Sequence, residues 1–425
     1  MSEPTPFWGR NQVSALQNVE FVDQCVDEFL KSSCIKELGT APCVCSPLSV
    51  VESNSGKKRL VINLRHLNRF LYKQGFKYED LRVAMLLFQN GDYLFSFDLK
   101  SGYHHVNVAD IHQKYLGFSW KDKYFVFTVL PFGLCTACYL FTKLMRPLVR
   151  YWRGQGLRVV VYLDDGLCAV NGLGPADEAS QLVQRTQDQA GFVVHPGKSV
   201  WKPTQRLVWL GFVVDMSLGQ IEVPESKIAT LRRLLEFAKQ SDRVKAKFLA
   251  SMLGKIMSMS ITFRPVSRFM TRSLYAVMES RQSWCEPLQL SEEAKAELYF
   301  WSTSLEVYNA QPIWHSPSAV RVVYSDASET GYGGYVVEHG PCVSHGCWTV
   351  EEAAESSTWR ELSAVCRVLL SVARKLVNAR VRWFTDNQNG AHILRVGSRK
   401  PHLHAVALSQ SSIRYAWSLS GYLGK

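Results

Sequence analysis

Apolar residues follow two rhythms that change along the chain. In the first half they come mostly as short runs of strand length. Residues 59–64 follow the turn signal Ser53-Asn54-Ser55-Gly56; a second run covers 93–99 and a third 124–130, closed by Pro131-Phe132-Gly133. The runs 158–163 and 167–170 flank Asp164-Asp165-Gly166, the pattern of a β-hairpin with an acidic pair at its turn. Residues 208–214 predict a further strand pair. Helical spacing appears at Val19, Val22, Val26, Phe29 and Leu30. It takes over beyond Pro224, at Ile228, Leu231, Leu234, Leu235 and Ala238, and again at Phe248, Met252 and Ile256. A linking helix is predicted over 291–306. After Pro312 and Pro317 a second α/β module opens with a strand at 320–325 and a Gly-rich turn at 331–334, followed by another strand.

Length and charge sharpen this outline. At 425 residues and roughly 150 residues per domain, two to four domains are expected. Hydrophobic residues make up 47% and charged residues 20%, which excludes disorder for most of the chain. No apolar run reaches the roughly 18 residues of a membrane span, and Met-Ser-Glu-Pro-Thr-Pro does not read as a secretory signal. The formal charge is +12, unevenly spread. Residues 225–281 hold twelve Lys/Arg against four acids, and residues 367–425 ten against Asp386 alone. Such concentration suggests a polyanion such as nucleic acid, with a solvated face as the plainer alternative. Eleven cysteines, with the close pairs Cys43/Cys45 and Cys135/Cys138 lacking a second pair at zinc spacing, predict free thiols and an intracellular protein of cytoplasm or nucleus.

Three carboxylates carry the chemistry: Asp98 at a strand end, and Asp164 with Asp165 at the hairpin. Divalent metals that drive phosphoryl transfer need hard oxygen ligands on rigid elements. Asp-Asp-Gly alone is also ordinary turn composition. The neighbours decide. Tyr162-Leu163-Asp164-Asp165 matches the YxDD box of reverse transcriptases, and Phe97-Asp98-Leu99-Lys100-Ser101-Gly102-Tyr103 resembles their first catalytic motif. Leu130-Pro131-Phe132-Gly133-Leu134 with Phe141-Thr142-Lys143 is similar to the template-side motif, and residues 59–68, ending Leu64-Arg65-His66-Leu67-Asn68, to the fingers motif. Gly191-Phe192, His195-Pro196-Gly197-Lys198-Ser199 and Trp209-Leu210-Gly211-Phe212 occupy the next two positions. The chain thus resembles a retrotransposon reverse transcriptase over about residues 48–215, with the flavour of gypsy-like and DIRS-like elements. Cys138 stands where the family commonly has Pro, and Asn63 where it commonly has Asp.

The resemblance implies roles. Asp98, Asp164 and Asp165 would hold two Mg²⁺ or Mn²⁺ ions, with the Leu99 carbonyl as an extra ligand. Tyr103 would sit under the sugar and favour dNTPs, or else simply pack in the palm. Arg59, with Lys57 or Lys58, would grip the triphosphate; for the two lysines a solvated turn is the alternative. Lys198 would protonate the departing pyrophosphate, or else lie on the surface. Phe132, Gly133 and Tyr162 would line the template and primer side, and Trp209, Leu210 and Gly211 would hold the primer end.

The second module resembles ribonuclease H. Asp326 ends a strand, Glu361 lies in Trp359-Arg360-Glu361-Leu362 at a helix start, and Asp386 follows the strand Arg382-Trp383-Phe384-Thr385. No Asp or Glu follows Asp386, whereas the family carries a fourth carboxylate on a late helix; the final segment 409–425 also lacks the usual late strand. A truncated module with impaired hybrid cleavage is therefore expected.

The predicted fold is α+β and multidomain, a right-hand polymerase of fingers, palm and thumb followed by an α/β ribonuclease H-like domain. Its boundaries are 1–224 for fingers and palm, 225–285 for a basic helical thumb, 286–319 for a connection and 320–425 for the last module. RNA and DNA template-primers, RNA–DNA hybrids and dNTPs are the expected partners, without a membrane. The alternative is a decayed or domesticated copy that binds nucleic acid without chemistry.

Overall fold

A computed structural model describes residues 3–53, 56–314, 320–338, 342–376 and 379–409. Segment 410–425, most of the expected late-strand region, lies outside the described residues, as do Asn54 and Ser55 of the first turn signal. The chain divides into two compact units, residues 1–210 with 216–218, and residues 211–215 with 219–425.

The first unit opens with helix α1 (Val19–Lys31), whose apolar stripe buries Val22 and Val26. Strands β1 (Leu48–Glu52) and β2 (Lys58–Ile62) form an antiparallel ribbon. A five-stranded sheet in the order Phe7–Trp8, Val44–Cys45, Gly117–Trp120, Lys123–Phe127, Ile35–Leu38 encloses a core with Phe118, Phe125 and Phe127. The sheet that matters for function is antiparallel throughout and contains β3 (Tyr93–Asp98), β4 (Arg158–Tyr162), β5 (Asp165–Val170) and β6 (Val200–Thr204), in the order β6-β3-β5-β4. Leu94, Phe95, Ser96 and Phe97 of β3 are all buried, as a central strand requires. Helices α2 (Ala137–Gly154) and α3 (Leu173–Gln189) supply the rest of its core. Phe141, Met145, Trp152 and Val183 pack with Phe95 and Phe97, and the Trp152 indole donates to Thr186 Oγ1 at 2.8 Å.

The hairpin turn sits one residue earlier than its composition suggests. Asp165 is already in β5, opposite Tyr162, so Leu163 and Asp164 form a two-residue loop. Leu163 takes the positive φ of 57° that such loops need at their first position. Gly166 makes room instead of bending the chain, since a Cβ there would lie 2.1 Å from the Phe97 ring on β3.

In the second unit, α4 (Glu225–Lys239), α5 (Ala246–Ser258), α6 (Arg272–Glu279) and α7 (Glu292–Ser304) confirm the helical rhythm beyond Pro224. The ribbon Arg243–Lys245 with Pro287–Gln289 ties the α4–α5 link to the start of the expected connection. Phe263 and Trp301 pack ring to ring, and the Trp301 indole donates to the Met270 carbonyl at 2.6 Å. The buried Glu297 of α7 accepts the Ser273 and Leu274 amides at the start of α6, at 2.8 and 2.9 Å.

The last sheet contains β7 (Val320–Ala327), β8 (Gly331–Val336), β9 (Val343–Cys347) and β10 (Arg380–Phe384) in the order β9-β8-β7-β10. The β7–β10 pair is parallel and the other two are antiparallel. Helix α8 (Ser357–Val372) connects across one face, and α9 (Gln388–Val396) and α10 (Pro401–Ser409) follow β10. The glycines at 331–334 are strand, not turn. They let neighbours approach: a Cβ at Gly334 would meet Val368 of α8 at 2.6 Å, and one at Gly331 the Gly346 carbonyl at 2.5 Å.

Candidate functional site

Strand β3 ends at Asp98, and its register places Asp98 directly opposite Asp165 on β5. Asp164 sits in the β4–β5 turn just before Asp165, and its carbonyl accepts the Leu99 amide at 3.0 Å. One chain segment at the end of a central strand and one tight hairpin thus bring three carboxylates to the same sheet edge. The segment 195–199 pins Asp98 from the other side. The Asp98 amide donates to Ser199 Oγ at 3.1 Å, the His195 amide donates to the Asp98 carbonyl at 2.7 Å, and the Ser199 hydroxyl donates to the His195 carbonyl at 2.9 Å. Lys198 points its ammonium between both Asp98 oxygens, at 3.1 and 3.2 Å.

The crowding has an electrostatic signature. Burial, followed by the charges of Asp164 and Asp98, pushes the Asp165 carboxyl up to about 7. Asp164 is also raised, by burial first and then by Asp98, while Lys198 pulls it the other way. Carboxylates held together against their charge suit a multivalent cation, since an opposite charge restores the ionised form.

Tyr103, in the short 3₁₀ turn Gly102–His105, lies against Phe132 and Phe141 with centroids 4.9 and 5.8 Å apart. Its hydroxyl meets Cys138 Sγ at 3.0 Å, so the cysteine in the unusual position contacts the aromatic of the first motif. Burial raises the Tyr103 phenol well above its ordinary value. Phe132 is half exposed, and Gly133 takes a φ of 96°. Asn68 ties this loop to the fingers motif: its amide donates to the Gly133 carbonyl at 2.9 Å and accepts the Cys135 amide at 3.0 Å. Tyr162 meets Tyr78, with centroids 5.0 Å apart.

Arg59 and Lys58 lie on β2 with Lys57 just before it, all exposed and, among the described residues, without an ion pair. Hydrogen bonding does not join them to the carboxylates. Trp209 is buried; Leu210 and Gly211 take φ values of 47° and 75°. In the second unit, Lys227 donates to the Gly211 carbonyl at 2.8 Å.

Asn68, Ser199 and Gly166 carry no signal of their own in the sequence beyond membership of a motif, because the partners that tie them to the site (Gly133, Asp98 and Phe97) lie 65 or more residues away. His105 joins a local and a distant partner: Nδ1 donates to the Gly102 carbonyl at 3.1 Å, and Nε2 accepts the Val193 amide, 88 residues away, at 3.0 Å.

A second acidic group lies in the other unit. Asp326 is the penultimate residue of β7, Glu361 is buried on α8, and Asp386 follows β10; their ligand atoms lie within 4.8 Å of one another. Burial, then Asp386 and Asp326, push Glu361 up to about 7, and Thr385 donates to it at 3.3 Å. Asp326 and Asp386 open onto a groove of about 1000 Å³. Tyr335, Tyr324 and Phe384 stack along it, with centroids 5.3 and 4.9 Å apart.

Among the described residues no disulfide joins any of the cysteines, and no helix is long and apolar enough to cross a membrane.

Residues 51–214 match the family described as reverse transcriptase (RNA-dependent DNA polymerase). The enzymatic polyprotein of figwort mosaic virus is 24% identical over 364 residues, covering 83% of this chain and 52% of that protein. The retrovirus-related Pol polyprotein from transposon gypsy of Drosophila melanogaster is 27% identical over 166 residues, 38% of this chain and 16% of that protein. The chain spans about half or less of the length of these relatives. The foamy viral protease-reverse transcriptase in complex with an RNA/DNA hybrid superposes with a TM-score of 0.65 at 17% identity, covering all of this chain and 56% of that one. That likeness establishes the shared α+β polymerase fold. Residues 51–214 therefore match the reverse transcriptase family, and the relatives that this chain resembles include a retrotransposon Pol polyprotein.

Proposed function

We propose that the chain is the RNA-directed DNA polymerase of a retroelement, extending a primer 3′-OH with dNTPs on an RNA or DNA template. The observation that carries this is the register pair Asp98–Asp165 with Asp164 at the turn, three crowded carboxylates at one sheet edge. These residues and the Leu99 carbonyl would hold two Mg²⁺ or Mn²⁺ ions, which supply charge neutralisation at the attacking and leaving oxygens. Lys198 stands at Asp98 with a proton to donate to the departing pyrophosphate. Tyr103, backed by Phe132 and Phe141, offers a ring face for the nucleotide sugar and selects dNTPs. Arg59, Lys57 and Lys58, cations without an ion pair among the described residues, suit a triphosphate, and Trp209, Leu210 and Gly211 would hold the primer end. Residues 1–224 are fingers and palm and 225–285 the thumb; 286–319 form the connection, tied to the thumb through Glu297 and Trp301.

Residues 320–425 are a ribonuclease H-like domain in which Asp326, Glu361 and Asp386 hold metal. Within this stretch no Asp or Glu after Asp386 supplies a fourth ligand, so these residues by themselves cleave an RNA–DNA hybrid weakly. Retention of all three polymerase carboxylates speaks against a copy that only binds nucleic acid. Primer extension by the purified chain tests the reading. Asp164→Asn should lower extension on the order of 10³-fold, the loss of several kcal/mol of charge stabilisation, while keeping the wild-type melting curve. Undiminished extension would refute the assignment.

A further inference from the structure

We propose that a basic concavity beside the β4–β5 turn binds a phosphate group. Arg146, Arg150 and Arg153 recur at i, i+4 and i+7 along one stripe of α2. With Lys77 they line a cavity of about 270 Å³ that also reaches Leu163. Among the described residues Glu79 is the one acid in its wall, and Arg153 already takes it, at 2.6 Å. Arg153 is further held by the Val159 carbonyl, at 2.8 Å.

Among the described residues the side chains of Lys77, Arg146 and Arg150 make no ion pair or hydrogen bond. Like charges four residues apart on a helix repel, and a concave wall brings their fields together. An anion relieves that repulsion. Paired guanidinium forks suit phosphate oxygens, and three unneutralised cations match a multiply charged phosphate better than a lone carboxylate.

Leu163 ties the cavity to the chemistry. It lines the wall, has a φ of 57° and directly precedes Asp164. A non-glycine residue in that backbone region is held there by its surroundings. A ligand in the cavity therefore bears on the position of the turn carboxylate.

The phosphate can come from two sources, a nucleic-acid strand or free pyrophosphate. Only the strand source rests on the polymerase reading. The test uses the full chain and the double variant Arg146→Gln/Arg150→Gln, with Arg150→Gln alone as a milder control; Arg153 is left intact because it holds Val159. One arm titrates sodium pyrophosphate by calorimetry. The other measures affinity for a labelled primer–template duplex against salt. Binding of pyrophosphate by the wild type, weakened at least about tenfold in the double variant, supports the free source. A fall of about 0.9 in the slope of log affinity against log salt, the value of one phosphate contact, supports the strand. Both responses support one site serving both. Unchanged pyrophosphate titration and unchanged salt slope overturn the proposal. Failure of the wild type to bind duplex at all would count against the polymerase reading, while the pyrophosphate arm would still judge the site.

Discussion

Replacing Gly166 by alanine should misplace the carboxylates without touching them. The new Cβ would stand 2.1, 2.3 and 2.6 Å from three atoms of the Phe97 ring, where ordinary contact begins at 3.4 Å. Something must move by at least about 1.3 Å, the difference between 3.4 and 2.1. The ring has little room: Phe97 is 1% exposed and wedged between Trp152 and Trp201, with centroids at 5.8 and 6.2 Å. The displacement therefore falls on β5 relative to β3. Gly166–Phe97 is the register pair next to Asp165–Asp98, so the shift reaches the site at once. Overpacking of this kind costs about 1–3 kcal/mol, a melting drop of roughly 2–12 °C for a unit of this size. A misplacement of about 1 Å costs on the order of 10²-fold in rate. Differential scanning fluorimetry and single-turnover primer extension read the two effects. Phe97→Leu in the Gly166→Ala background should recover part of both, a coupling that independent sites do not show. Wild-type melting with extension within about twofold of normal would refute the reasoning.

Asn68→Ala should cost about 1–3 kcal/mol, the net worth of two hydrogen bonds, and loosen the Pro131–Gly133 loop. Chemical denaturation and template-primer affinity should both decline; an unchanged affinity would separate the loop from binding. Glu297 has a carboxyl raised to about 7 from 4.5, by burial outweighing its backbone hydrogen bonds. A raised acid contributes stability that is fully present below its unfolded value and is lost as pH rises through the folded one. The wild type should therefore lose up to about 3 kcal/mol between about pH 4.5 and 7, and Glu297→Gln should flatten that part of the melting profile. Equal slopes for both proteins would exclude Glu297 as the source. Asp386→Asn should lower whatever cleavage of a labelled RNA–DNA hybrid the wild-type chain shows; cleavage unchanged by the substitution would exclude Asp386 as a ligand.

The local rhythms were legible wherever burial repeats on a short period. Residues 93–99 and 158–163 became strands within a residue or two because a buried strand reads as a short continuous apolar run, and the stripe from Ile228 to Ala238 became α4 because a half-buried helix repeats its apolar positions every three to four residues. Misreadings came at glycine and at turns. Asp-Asp-Gly and Gly331–Gly334 have the composition of loops, yet Gly166, Gly331 and Gly334 are strand residues that make room for Phe97, the Gly346 carbonyl and Val368. No local pattern distinguishes a glycine that bends the chain from one that lets another chain segment approach.

Residue types and their order along the chain single out Asp98, Asp164 and Asp165 as candidate ligands, because metal chemistry at phosphate demands hard oxygen ligands. The order could not say which oxygens face one another. That Asp98 meets Asp165 across a strand pair, that Lys198 reaches back 100 residues to Asp98, and that Asn68 holds the loop at Gly133 are matters of strand register and long-range packing. Those contacts cost chain entropy that only the completed core repays, so they exist in the fold and leave no signature in any short stretch of sequence.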